Sequence, residues 1–525
     1  MPQREPVARL TWRLAAVSLC TAALLAACGG GGSDAGQAPF GNEGNNFGNE
    51  GSSSNLPASS TLDGQCAVDN PLAPAAARTA TLDRERRWAR SYMNEAYLWY
   101  REVPSVDSAN ALFNTASVPE SLDNYFNALR TPALTASGKR KDQFSFTFPT
   151  AEWEALTQAG IVAGFGAEWV LGSDTPPRNV RIAYVEAGTP AATLGLGRGM
   201  SVVTVNGVSI DDTSSLGLAV LNEALFSPVN GRSYDFVFTE VGGLQRSVTM
   251  AATQITKTPV QNVRTIDTPS GRVGYLTFND HLTPAEGQLV DAFTELQSQG
   301  VDDLVLDLRY NGGGFLYIAS QLGYMIAGST RTAGKTFERL SFNDKRSAET
   351  NDPDNDTPFF NVASGFDNSG TTENAPLPTL NLGRVYVLAS PGTCSASEAV
   401  VNGLRGVGVE VVLVGGTTCG KPYGFTAKDN CGISYFPIEF KGVNEVGFGD
   451  YADGFTPTTT CTVADDFTRA LGDSTERMLA AALAHRATGS CASTAAAREA
   501  PQGVARTAAF GRVVRHPVRE SKFRR

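Results

Sequence analysis

Histidine is scarce in this sequence. His281, His485 and His516 are the only three in 525 residues, and none lies in the most strongly patterned stretch, residues 384–421. A nucleophile in that stretch has no histidine base near it in sequence. There is also no CxxC pair and no histidine-rich tract, which argues against a metal site. The buried-strand pattern over 301–308 runs into three glycines. Neither a lysine-bearing P-loop nor a spaced GxGxxG follows it, so a nucleotide-binding reading is weak. Positive charge is in deficit as well. The net charge of −10 disfavours nucleic acid as the main partner. The apolar run Leu14 to Ala27 is too short to be a good membrane span. No cofactor is implied.

What is present centres on residues 384–421. Val385-Tyr386-Val387-Leu388 reads as a buried strand, and Pro391-Gly392 ends it. Small residues follow, Thr393 to Ser397, and then a helical run with Ala399, Val400 and Leu404 on one side. Val411 to Val414 is a second buried strand, ended by Gly415-Gly416, and Lys421 stands in the loop beyond. A serine between a strand end and a helix start is lifted out of the sheet. The helix N-terminus there offers unpaired N–H groups to an oxyanion. Lys421 is the nearby base, provided that burial favours its neutral form. The plainer reading is a βαβ unit with a serine-rich turn and a surface lysine. A second stretch, VDDLVLDLRYNGGG at Val301–Gly314, adds glycines that allow close backbone approach to a ligand.

DLRYNGGG at Asp307–Gly314, CSASE at Cys394–Glu398 and Gly420-Lys421 together resemble the C-terminal processing (tail-specific) serine endopeptidases. The resemblance covers roughly residues 80–490. It implies Ser395 as nucleophile and Lys421, 26 residues on, as general base. The oxyanion donors it implies are the N–H of Ala396 and that of Gly313 or Gly314. The implied fold is multidomain α/β: a helical N-terminal cap, a PDZ-like β domain and a mixed α/β core of the crotonase-like or ClpP-like kind. Many members carry a glutamine four residues after the lysine. Phe425 stands there, leaving the third catalytic position unassigned.

Residues 1–27 read as an export leader, with Arg4, Arg9 and Arg13 before the apolar run. Leu25-Ala26-Ala27-Cys28 resembles a bacterial lipobox, which implies lipidation of Cys28; a plain secretory signal is the alternative. Gly29 follows, with no aspartate to signal inner-membrane retention. The expected location is the periplasmic side of the outer membrane, held by a lipid anchor. Residues 28–79, rich in Gly, Ser and Asn at their start, are expected to be a flexible tether.

Residues 80–155 are expected to be helical, with Trp88, Tyr92, Ala96 and Trp99 at helical spacing. Residues 156–253 carry short strands and an Asn206-Gly207 turn. Their order resembles a PDZ domain, with Gly164-Phe165-Gly166-Ala167 as the loop that captures a peptide's C-terminal carboxylate. Met200 departs from the aspartate often found there, and a generic small β domain is the alternative. Residues 254–490 form the core, where Thr283-Pro284-Ala285-Glu286 reads as a capped helix start. The polar stretch 329–380 reads as an insertion or lid. The basic tail 491–525 is expected to be disordered.

Eight cysteines suit an exported, oxidised protein. Setting aside Cys20 and Cys28, six remain, and Cys419 and Cys431 are expected to pair because they flank the loop of Lys421. Cys394 as the nucleophile lacks a histidine to activate it.

The function expected is a serine endopeptidase with a Ser–Lys dyad, acting on proteins or peptides with free C-termini. The alternative is a non-catalytic envelope protein that binds peptide tails. The sequence leaves the oligomeric state open.

Overall fold

A computed structural model describes residues 56–491 and the backbone of Lys522–Phe523. The leader, the lipobox cysteine Cys28 and most of the 491–525 tail lie outside the described residues.

The N-terminal region is helical, as expected. Its helices are α1 (Leu82–Ala96) and α2 (Val118–Ala128). The aromatic stripe is core: Trp88 and Phe126 are fully buried and both pack on Tyr435. The flexible tether expected over 28–79 ends earlier, because residues 56–79 are folded onto this region. Cys66 is bridged to Cys431, and the buried Asn70 side chain donates to the Cys431 carbonyl at 3.1 Å. Neither partner is visible from the local composition.

Helix α3 (Thr150–Ala159) leads into the small domain. Its strands are β1 (Ile161–Gly164), β2 (Ala167–Val170), β3 (Arg181–Val185) and β4 (Ser201–Val205). After α4 (Ser215–Phe226) come β5 (Ser233–Thr239), β6 (Gln245–Ala251) and β7 (Thr253–Thr256). The main sheet runs β6-β5-β4-β3-β2, so β2 is an edge strand, while β1 pairs with β7. Phe165, Trp169, Phe236 and Phe238 fill the core beneath.

The large domain contains β8 (Val260–Thr268), β9 (Gly271–Phe278), α5 (Ala285–Ser298), β10 (Asp303–Asp307), β11 (Gly314–Phe315), α6 (Leu316–Ala327) and β12 (Thr336–Phe342). Then follow β13 (Arg384–Ala389), α7 (Ala396–Gly406), β14 (Glu410–Gly415), β15 (Tyr423–Gly424), β16 (Ile433–Phe436), β17 (Phe440–Val443), α8 (Arg477–Thr488) and β18 (Lys522–Phe523). The sheet order is β8-β9-β10-β13-β14, with β9, β10, β13 and β14 parallel. Parallel strands need cover on both faces, which explains their continuous apolar runs. Leu289, Phe293, Leu322 and Val400 cover one face. Met478, Leu479 and Ala482 of α8 cover the other. Short β18 lies parallel to β11, pairing Lys522 with Gly314.

Two local expectations change. The Thr283 hydroxyl does not cap α5; it donates to the carbonyls of Thr157 and Gln158 at the end of α3. The 329–380 stretch is packed rather than a free lid. Phe337, Leu340, Phe342 and Phe359 join the main core, and β12 pairs with β17. Its polar composition hides a strand whose partner lies about a hundred residues away.

The expected Cys419–Cys431 bridge is replaced by Cys394–Cys419 and Cys66–Cys431, with Cys461–Cys491 as the third. Cys394 and Cys419 follow neighbouring parallel strands, which bring their Cα atoms to 5.2 Å. Beyond Cys419 the chain passes through β15 and turns into β16, which pairs with residues 146–149. That path carries Cys431 to Cys66.

Candidate active site

The strand β13 stops at Ala389, and Ser395 is the residue just before α7. Its backbone is at φ 59° and ψ −114°, a conformation that non-glycine residues rarely adopt. Such a position is held only when its surroundings demand it. Ser395 is fully buried and its Oγ makes no hydrogen bond. Ser397 differs: its hydroxyl donates to the Asn311 carbonyl at 3.1 Å. Of the two serines in the turn, Ser395 has the uncommitted oxygen.

Lys421 is also fully buried. Its Nζ lies 4.5 Å from the ring centre of Phe425 and 5.1 Å from that of Phe144. Phe425 thus fills the place next to the lysine with an aromatic face, packed in turn on Phe146 and Phe436.

Glu398 connects the two. Oε2 of its buried carboxylate accepts from the N–H of Ser395 at 3.0 Å and from the N–H of Lys421 at 2.8 Å. Oε1 accepts from Gly420 N–H at 2.9 Å and from the Thr418 hydroxyl at 2.5 Å. Burial pushes this carboxyl's pKa up, and the surrounding donors pull it partly back. One oxygen shared by two N–H groups keeps the nucleophile turn and the lysine loop adjacent.

The glycine turn is framed by Asn311 and His281. Asn311 Nδ2 donates to the Phe278 carbonyl at 2.9 Å, which fixes the amide orientation. Its Oδ1 accepts from Gly313 N–H at 2.9 Å and from His281 Nδ1 at 3.0 Å. The Gly313 N–H expected to serve an oxyanion is therefore already engaged. Of the two glycines, Gly314 is left as the candidate donor beside Ala396. Gly314 sits at φ 137°, and a Cβ there would lie 2.4 Å from the His281 carbonyl oxygen. The Asn311 carbonyl accepts from Cys394 N–H at 3.1 Å, tying this turn to that of the nucleophile. Behind it, buried Arg309 bonds Asp307, Asp465 and Glu476. On the neighbouring Tyr310, the hydroxyl bonds Asp465 and Arg198 of the small domain.

Burial lowers the His281 pKa from 6.5 to about 3, although its bonds to Asn311 and Gly313 oppose this. The imidazole is therefore neutral in the working range and a weak base. The unfolded chain binds a proton near pH 6.5 that the fold refuses. Stability from this group is thus full above pH 6.5 and is lost as pH falls toward 3, at up to about 1.4 kcal/mol per unit. In His281→Gln the loss of unfolding free energy between pH 7 and pH 5 should be roughly 2 kcal/mol smaller than in the wild type. An identical acid slope in both would assign the effect to other groups.

Comparison with known proteins fits this arrangement. Residues 272–428, which include Ser395 and Lys421, match the model of peptidase family S41. Residues 84–146 match that of the peptidase S41 N-terminal domain.

The matched residues carry a peptidase family S41 domain and its N-terminal domain.

Among curated relatives, the chloroplastic C-terminal processing peptidase of Tetradesmus obliquus is 27% identical over 261 residues, 47% of this chain and 49% of that one. The carboxyl-terminal-processing protease of a Synechocystis species is 25% identical over 269 residues, 51% and 54% of the two chains. The chain spans about half the length of the curated relatives it matches. A crystal structure of an S41-type protein from Bacteroides fragilis superposes with a TM-score of 0.56 at 26% identity. It covers 77% of this chain and 97% of that one.

Both S41 matches leave out residues 156–253, so the small domain rests on its own geometry. Gly164 to Ala167 join β1 to the edge strand β2. Together with Trp169 and, from α4, Leu225 and Phe226, they line a groove. Gly166 has φ 81°, and a Cβ there would lie 2.1 Å from the Thr189 hydroxyl. Phe165 points into the core, and its carbonyl accepts from Ala191 N–H at 2.9 Å.

Glu398, Asn311 and His281 frame the candidate site, and the sequence motifs give them no such place. Glu398 did have a signal: Ser395-x-x-Glu398 is the spacing of a capping box. His281 had none, since its place is set by the return of β9 beside the glycine turn.

Proposed function

We propose that this chain is a serine endopeptidase in which Ser395 attacks a peptide carbonyl and Lys421 takes its proton. The observation that carries this reading is the unbonded Ser395 Oγ at a strained strand-to-helix turn, with its backbone and that of Lys421 held on one Glu398 oxygen. The neutral amine of Lys421 accepts the hydroxyl proton as the C–O bond forms. The N–H groups of Ala396 and Gly314 receive the oxyanion. Lysine returns the proton to the leaving amine, and water then hydrolyses the acyl-enzyme. A fluorophosphonate probe should label the protein at Ser395. A folded wild type that stays unlabelled would refute the reading. Such a result would favour a second reading, a peptide-tail-binding protein on an inactive scaffold. The specific observation behind it is Phe425, whose ring face suits an ammonium rather than a free amine.

Substrates are proteins or peptides taken by their free C-termini. The edge strand β2 is open to strand addition, and the Gly164–Ala167 turn stands at its start to meet the terminal carboxylate. Gly166→Val would drive a side chain into Thr189 and should weaken binding of a free-acid peptide about tenfold or more. Equal binding of free-acid and amidated peptides by the wild type would remove this role.

The lipobox-like Leu25-Ala26-Ala27-Cys28 supports a location on the periplasmic side of the outer membrane, held by a lipid on Cys28. Labelling with a fatty-acid analogue should mark the wild type and spare Cys28→Ala; label on the variant would reject the anchor.

A further inference from the structure

The loop that carries Lys421 has little regular structure of its own. Between β14, which ends at Gly415 (φ 123°), and β15, which starts at Tyr423, residues 416–422 form no helix or strand, and Gly420 turns at φ 89° against the Ala452 carbonyl. Its position relative to Ser395 depends on a few ties. Glu398 gives three of them, through the N–H groups of Gly420 and Lys421 and the Thr418 hydroxyl. A fourth is the Cys419 N–H donating to the Thr393 carbonyl at 3.0 Å. Another is covalent. Cys394 immediately precedes the nucleophile, Cys419 stands two residues before the base, and they form a disulfide. The Cys419 sulfur also lies 3.2 Å from Glu398 Oε2, so bond and carboxylate share one buried junction. The other two disulfides lie elsewhere, Cys66–Cys431 in the N-terminal region and Cys461–Cys491 beside the back of the sheet.

We infer that the Cys394–Cys419 disulfide positions the dyad and makes it redox-sensitive, the oxidised form being the competent one. This rests on the Ser395–Lys421 reading. The two sulfurs are not equally open: Cys394 is fully buried and Cys419 only partly. A dithiol reductant attacks through its thiolate at Cys419 Sγ. The S–S bond breaks, Cys394 leaves as a thiolate and takes up a proton. The reagent's second thiol then closes it into a cyclic disulfide, releasing Cys419 as a thiol. Two electrons pass from the dithiol to the two cysteines. The loop then keeps only hydrogen bonds, and small displacements of a base from its nucleophile have large rate effects. Cys394 and Cys419 are positioning residues, since neither sulfur takes part in the chemistry.

The test uses the full chain, oxidised or treated with dithiothreitol in the presence of EDTA. The chelator matters because two freed thiols beside Glu398 form a ligand set for a metal ion. Mass spectrometry establishes which thiols are free. Two readouts follow: hydrogen exchange of residues 416–422, and the rate of fluorophosphonate labelling at Ser395. With the 394 and 419 thiols free, exchange should rise in that segment. Labelling should fall at least about tenfold and return on reoxidation. Peptide turnover should lose kcat with KM little changed, because the groove is untouched. Cys394→Ala/Cys419→Ala should resemble the reduced protein and ignore the reductant. Cys461→Ala/Cys491→Ala should keep the full response. In Lys421→Ala, reduction should slow residual labelling far less than in the wild type, because the group being positioned is gone. Unchanged exchange in protein with both thiols free would overturn the inference, as would an equal slowing in Lys421→Ala. If exchange rises while even the oxidised form never labels, the restraint stands and the peptidase reading fails instead.

Discussion

Ser395→Ala should reduce kcat by about five to six orders of magnitude, the scale on which serine hydrolases lose activity without their nucleophile. Peptide binding in the groove of the small domain should survive, because Gly164–Ala167 belong to a different core from the nucleophile turn. Lys421→Ala should fall as far, since among the described residues the other candidate base, His281, is held neutral and bonded to Asn311. Lys421→Arg should do no better, because a guanidinium keeps its proton. With Ser395 and Lys421 acting in one step as proposed, the double variant should be scarcely worse than either single one. Ser397→Ala removes a hydroxyl that already donates to the Asn311 carbonyl, and it should lose far less than Ser395→Ala. Turnover followed by single-turnover labelling decides the matter. A fully active Lys421→Ala alongside a dead His281→Gln would replace the dyad with a histidine mechanism. A dead Ser397→Ala with Ser395→Ala intact would move the nucleophile.

The nucleophile turn could be read from sequence because every step in it is local. A run buried on both faces, a Pro-Gly stop, small residues and a helix follow one another within about twenty positions, and the structure keeps that order. The glycine turn was visible for the same reason, but which of its N–H groups is available was not. That depends on the Asn311 side chain folding back onto Gly313, which no spacing rule encodes. The cysteine pairing failed for a topological reason. Cys394 and Cys419 are brought together by two parallel strands in register, and Cys66 meets Cys431 across 365 residues. The 329–380 stretch reads as a polar insertion because its apolar residues are few. Leu340 and Phe342 nevertheless alternate with exposed Arg339 and Ser341 along β12, whose partner β17 supplies the missing context. Glu398 is the instructive case. Its capping-box spacing was in view, but the pattern speaks only of a helix start. That its carboxylate also gathers the far loop at Thr418, Gly420 and Lys421 is a tertiary fact.

Glu398→Ala should therefore do more damage than the loss of a helix cap. A cap alone is worth about 1 kcal/mol. Here three buried backbone N–H groups, those of Ser395, Gly420 and Lys421, lose their acceptor together. Each stranded donor costs roughly 1–3 kcal/mol, so a total loss of stability on the order of 3 kcal/mol or more is expected. Activity should fall further than stability requires, because the carboxylate sets the spacing between nucleophile turn and base loop. A displacement of about 1 Å at such a pair costs roughly a hundredfold in rate. Glu398→Gln separates the two effects. It keeps the length and one acceptor oxygen, but it points an amide NH2 at N–H donors on the other side. Its stability should lie between wild type and alanine, while kcat should stay depressed by about a hundredfold with KM little changed. Denaturant unfolding and steady-state kinetics on both variants provide the check. If Glu398→Gln matches the wild type in kcat, the carboxylate is only a helix cap. If kcat in Glu398→Ala falls no further than the folded fraction does, the shared oxygen has no part in aligning Ser395 with Lys421.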